Sequence, residues 1–117
     1  MRVPSKRAWR RQPHRSSYVY FIQAEALGLV KIGWAADPTI RLSRLQIGSP
    51  DRLKLLAVIE DGRSLEGVLH IMFAADRAHG EWFRPSTRLL AYISHHAQDL
   101  DTLLERQHEQ MFGEAGL

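Results

Sequence analysis

Tyr18-Val19-Tyr20-Phe21-Ile22 and Leu29-Val30-Lys31-Ile32-Gly33-Trp34 are two runs rich in aromatic and β-branched residues, separated by a stretch that closes on Gly28. Such side chains pack well on a pleated surface and favour strands. Residues 24–28 can turn the chain, so the two runs read as a hairpin. Asp37-Pro38 follows as a helix start, with Asp as N-cap and Pro at the first helical position. The helix over residues 39–47 presents Leu42 and Leu45 three apart, Gly48 can end it, and Pro50 prevents its resumption.

Leu53-Lys54-Leu55-Leu56-Ala57-Val58-Ile59 reads as a third strand, closed by the turn pair Asp61-Gly62. A second helix is expected over residues 64–77, with Leu65, Val68, Leu69 and Met72 as its core stripe. Gly80-Glu81-Trp82-Phe83-Arg84-Pro85 breaks the helical pattern and reads as a short extended piece. Ser86 or Thr87 can cap a final helix carrying Leu90, Ile93, Ala97, Leu100 and Leu104, extending to about Met111. The order β-β-α-β-α implies an α+β domain. Its sheet is expected to be three-stranded, mostly antiparallel and flanked by helices, with a long C-terminal helix. The chain divides into a basic tail (residues 1–17), a folded domain (18–85) and a helical extension (86–117).

With 117 residues the chain is long enough to bury a core without staples, and 44% hydrophobic against 25% charged residues is an ordinary globular balance. Absence of cysteine excludes disulfides, thiolate metal sites and thiol nucleophiles. No apolar run has the length of a membrane span, and the N-terminus lacks the apolar core of a signal peptide, so a cytoplasmic location is expected. The net charge of +3 is unevenly spread: Arg2, Lys6, Arg7, Arg10, Arg11 and Arg15 carry no acidic companion before residue 18, leaving 10 basic against 13 acidic residues beyond. That arm, with Trp9 among its arginines, can bind phosphates and stack on a base, or it can be a solubilising terminus.

Tyr18-Val19-Tyr20, ten intervening residues and Lys31-Ile32-Gly33 together resemble the paired motifs of the GIY-YIG endonuclease superfamily. Arg41 on the first helix and Glu66 on the second fit the same pattern. So does Glu66-x-x-Leu69-His70-x-x-Phe73-x-x-x-Arg77-x-x-Gly80-Glu81-Trp82-Phe83, which is similar to a phage and bacterial branch of that superfamily. Tyr18, Val19 and Lys31 stand where that pattern has Gly, Ile and Tyr. The resemblance implies a metal-dependent endonuclease cutting DNA. Tyr20 would be its general base or water-orienting phenol, Arg41 its catalytic arginine and Glu66 its ligand for Mg²⁺ or Mn²⁺.

Cleaving a phosphodiester needs an activated water and a cation to neutralise developing charge. A phenol titrates near ~10, so Tyr20 needs help to act as a base. Lys31 can supply it if the paired strands turn both side chains to one face. Arg41 can hold a phosphate bidentately. Arg44, one turn on, can reach the next phosphate or form part of an exposed basic face.

Glu66, His70, Phe73 and Arg77 share one helical face, about a third of a turn from the stripe, so Glu66 faces solvent or a cleft. His70 can act as an acid, donate to phosphate or orient Glu66. Tyr18, Trp34 and Arg77 complete the expected substrate contacts. Glu81 can bond backbone or Arg77, with metal ligation as the alternative. His95-His96 lacks ligand spacing. The rival expectation is a nucleic-acid-binding module that keeps the scaffold without cutting. The final helix leaves a monomer or a homodimer open.

Overall fold

The computed structural model describes residues 17–61 and 64–99. A central strand β1 (Ser17–Ala24) lies between β2 (Val30–Ala35) and β3 (Leu53–Asp61), antiparallel to both. Two short strands, β4 (Arg77–His79) and β5 (Trp82–Phe83), extend the sheet from β2, giving the order β3-β1-β2-β5-β4. Every pairing is antiparallel. Three α-helices are present among the described residues: α1 (Pro38–Ile47), α2 (Ser64–Met72) and α3 (Thr87–His96). A 3-10 turn (Ala74–Asp76) links α2 to β4.

The sheet thus has five strands, which corrects the expected three. The two additional strands are three and two residues long. So short a segment shows no alternation in sequence; β5 forms on the edge that β2 offers, and β4 on β5. For the same reason α2 stops at Met72 instead of running on to residue 77, and Arg77 lies in a strand.

β1 is covered on both faces, so Tyr18, Val19, Tyr20, Phe21 and Ile22 are all buried. A strand buried on both sides reads as a continuous apolar run, not an alternating one. Tyr18, Tyr20 and Ile22 enter one cluster, against Leu42 and Leu45 of α1. Val19 and Phe21 enter the other, with Leu69, Phe73, Phe83 and Leu89. The apolar face of α2 is therefore Leu65 and Leu69, continued by Phe73. Val68 and Met72, expected in the stripe, are half exposed.

α3 begins as the sequence suggests, with the Ser86 hydroxyl accepting from the Leu89 N–H at 3.1 Å. It ends at His96, where the chain turns extended at Ala97 and Gln98 exchanges two backbone hydrogen bonds with Val58 (2.8 and 2.9 Å). One uninterrupted helix to residue 111 is thereby corrected. Residues 100–117, with Leu100, Leu104 and the expected dimer contact, lie outside the described residues, as do residues 1–16 of the basic arm.

α1 starts at the expected cap. Asp37 Oδ1 accepts from the backbone N–H of Thr39 (3.0 Å) and of Ile40 (3.1 Å). Asp37→Ala is expected to lower unfolding free energy by about 1 kcal/mol, read as a drop of several degrees in the thermal midpoint. An unchanged midpoint would show that Pro38 alone sets the helix start.

Candidate active site

β5 pairs with Val30 and Lys31 of β2, and the chemistry-bearing residues gather where that short pairing ends. From β1 comes Tyr20. The β1–β2 register sets it opposite Gly33 and sets Lys31 opposite Ile22, so Tyr20 and Lys31 share a face of the sheet. The Tyr20 ring lies directly on Gly33: a Cβ added there would overlap Tyr20 Cζ and Oη. Only glycine lets the phenol cross β2. From α1, the exposed Arg41 guanidinium donates a hydrogen bond to the Tyr20 hydroxyl. Arg41 and Arg44 line a shallow depression with Ala35, Ala36, Asp37 and Ile40.

α2 contributes Glu66 and His70, one helical turn apart, and the β4–β5 turn contributes Glu81. One potential ligand atom from each of the three lies within 4.8 Å of the others. The backbone of Ile32 anchors two of them. Its N–H donates to the Glu81 carbonyl at 3.0 Å, and its carbonyl lies 2.8 Å from His70 Nε2. A carbonyl oxygen only accepts, so Nε2 carries the hydrogen, and the lone pair of the neutral ring sits on Nδ1. The Phe83 ring meets the imidazole edge-on, with centroids 5.1 Å apart. Glu66 is held less tightly, its carboxylate 3.9 Å from His70 Nε2. The Glu66 and His70 side chains are 26% and 17% exposed, so this helix face is partly sheltered from bulk solvent.

Lys31 does not assist Tyr20. Its ammonium is paired with Glu81 Oε1 at 2.9 Å and lies 5.6 Å from the centre of the Trp82 ring. Burial pushes the Tyr20 phenol up to about 12, and the carboxylates of Glu81 and Glu66 push the same way; Arg41 opposes them without prevailing. Tyr20 is therefore a neutral phenol at physiological pH. The raised value has a stability consequence. The unfolded phenol ionises near its ordinary 10.0 while the folded one holds its proton to about 12. The resulting stabilisation is complete below pH 10 and is lost as pH rises through 12. Two pH units correspond to roughly 2–3 kcal/mol. Urea midpoints are expected to fall between pH 9 and pH 12 in the wild type and to fall less in Tyr20→Phe. Equal slopes would remove Tyr20 as the source.

Other expected substrate contacts fall elsewhere. Tyr18 is fully buried in the core. Trp34 follows Val30 and Ile32 on the opposite face of β2 from Tyr20 and Lys31. Arg77 donates to the Gly80 carbonyl at 2.8 Å and lies over the Phe83 ring, which ties down the β4–β5 turn. Arg77 thus bonds backbone, not Glu81. Glu81, which the sequence offered as a bond to backbone or Arg77 with metal ligation as the alternative, joins the cluster from the turn that follows Gly80, where φ is 55°.

A family model, the T5orf172 domain, matches residues 17–107. The chain belongs to the T5orf172 domain family. This corrects the GIY-YIG assignment: the family whose model matches is a different one. The paired segments that prompted that assignment have a packing explanation in the T5orf172 domain, since an aromatic strand lying across a glycine of its neighbour requires just such residues. No curated protein matches the chain. No solved structure matches it either. Among the described residues of this T5orf172 domain, no helix is long and apolar enough to cross a membrane.

Proposed function

We propose that this T5orf172 domain protein is a divalent-metal-dependent nuclease that hydrolyses phosphodiester bonds in DNA. The observation carrying this reading is the convergence of a phenol and a guanidinium, Tyr20 and Arg41, beside the Glu66–His70–Glu81 donor set. Membership of the T5orf172 domain family is compatible with a nucleic-acid-related role.

Two carboxylates and an imidazole suit a divalent ion of borderline hardness. Mg²⁺ prefers oxygen ligands and retains its waters, whereas an imidazole in the set leans toward Mn²⁺. When bound, the ion would supply Lewis-acid neutralisation of the charge growing on the phosphate. Arg41, exposed and aligned by the Tyr20 hydroxyl, can take two phosphate oxygens and stabilise that charge directly. Tyr20, neutral at working pH, orients a water by hydrogen bonding and does not abstract its proton. His70, its Nε2–H held by Ile32, keeps a fixed ring orientation beside Glu66.

Incubating supercoiled plasmid with the protein tests the reading. Relaxed or linear product is expected with Mn²⁺, more slowly with Mg²⁺, and not in chelator. Plasmid left supercoiled with both ions would refute it. The Lys31–Glu81 pair favours one second reading, a module that binds DNA without cutting it, because the pair satisfies Glu81 with no ion present. That reading predicts salt-sensitive DNA binding with intact plasmid.

A further inference from the structure

The Glu81 carboxylate has two claims on it. One oxygen is engaged by the Lys31 ammonium at 2.9 Å. The same side chain is one of three potential ligands lying within 4.8 Å of one another. Lys31 is well sheltered, with 14% of its side chain exposed, and the Trp82 face flanks the ammonium. Its charge is thus poorly screened and has one carboxylate to pair with at ion-pair distance among the described residues. An ammonium and a divalent ion on one carboxylate repel each other over a few ångströms, where screening by salt is weak.

We propose that Lys31 is the resident counter-ion of the metal centre: it holds the place on Glu81 that a divalent cation takes, and is released when the cation arrives. This inference rests on the metal-dependent reading above and assigns it an order of events. Before the ion binds, Lys31 keeps Glu81 neutralised and in position beside Glu66 and His70. Once displaced, the ammonium lies next to the centre with no carboxylate of its own, on the Tyr20 face of the sheet, where a phosphate oxygen of a bound DNA strand is its natural partner. The ion and the DNA therefore each strengthen binding of the other, as reciprocal linkage requires. In this role Lys31 is a positioning residue that sets metal affinity, and it has no part in ionising Tyr20.

The test is calorimetric titration of the full chain with Mn²⁺, without DNA. Lys31→Met, which keeps the length and loses the charge, is expected to bind Mn²⁺ about tenfold more tightly than the wild type. Glu81→Gln is expected to bind at least about tenfold more weakly. Lys54→Met, the same charge change at an exposed position of β3, should match the wild type. A merely structural Lys31–Glu81 pair would give the opposite sign for Lys31→Met, since a loosened Glu81 binds worse. Should circular dichroism show that Lys31→Met fails to fold, Lys31→Gln takes its place with the same expectation. If Glu66→Gln abolishes a wild-type Mn²⁺ site while the Lys31 variant binds equally or more weakly, the counter-ion role is overturned and the metal reading stands. If the wild type binds no Mn²⁺ and leaves plasmid intact, both fall.

Discussion

Glu66→Gln is expected to reduce Mn²⁺-dependent plasmid cleavage by at least about 10²-fold, because it removes the carboxylate that α2 contributes to the Glu66–His70–Glu81 donor set. The substitution keeps the size and much of the hydrogen-bonding capacity of the side chain. Glu66 is partly exposed and its carboxylate lies 3.9 Å from His70 Nε2, beyond hydrogen-bond distance, so the fold should lose no more than about 0.5 kcal/mol. Activity and stability thus separate cleanly: a large fall in rate at an almost unchanged melting temperature. Arg41→Ala should give a fall of comparable size through loss of charge stabilisation at the phosphate. Arg41→Lys should not restore it, since an ammonium cannot grip two oxygens in a plane. Full activity in Glu66→Gln would sink the nuclease assignment at its metal-binding step.

The largest expected effect on folding is at Gly33. An added methyl would overlap the Tyr20 ring at Cζ and Oη, and would lie 2.8 Å from Cε1. These are atoms of a rigid ring in a fully paired central strand, not the end of a flexible chain, so the neighbour has little freedom to give way. Gly33→Ala is expected to cost about 3 kcal/mol, the upper end for overpacking, and Gly33→Val more. The source of the clash can be isolated. Tyr20→Ala destabilises by itself, through the cavity it leaves, but it vacates the space that the added methyl needs. In that background Gly33→Ala should cost far less, giving a coupling energy of at least about 1 kcal/mol in a double-mutant cycle. Additive costs would place the strain elsewhere.

The contrast between these two positions shows what the sequence could carry. The hairpin, the Asp37-Pro38 helix start and β3 were legible because each is a local pattern: an apolar run, a cap, a turn pair. Glu66 and His70 were legible as neighbours because helical spacing places them so. The extended piece that holds β5 was legible as well, but β4 and the entry of both into the sheet were not, since β5 pairs with an edge supplied about 50 residues earlier in the chain and β4 pairs with β5. The reassignment of Lys31 follows from the same cause. Lys31 and Tyr20 do share a sheet face, as the strand pairing implied, but the partner at ion-pair distance arrives on the unforeseen β4–β5 turn. Burial of Tyr20 then decides its ionisation, and burial of a strand on both faces is a property of the assembled layers.

Ile32 has a further significance. Its peptide groups, not its side chain, hold both the Glu81 turn and the His70 ring. Side-chain replacement at position 32 leaves those two hydrogen bonds in place as long as the strand persists, so the anchoring of the site is shielded from most point mutations there. It is exposed instead to anything that frays the β2 edge. A transient opening of a single strand segment would release an acid and an imidazole together, so the site is expected to come apart as one unit, with the amide of Ile32 reporting the opening through hydrogen exchange.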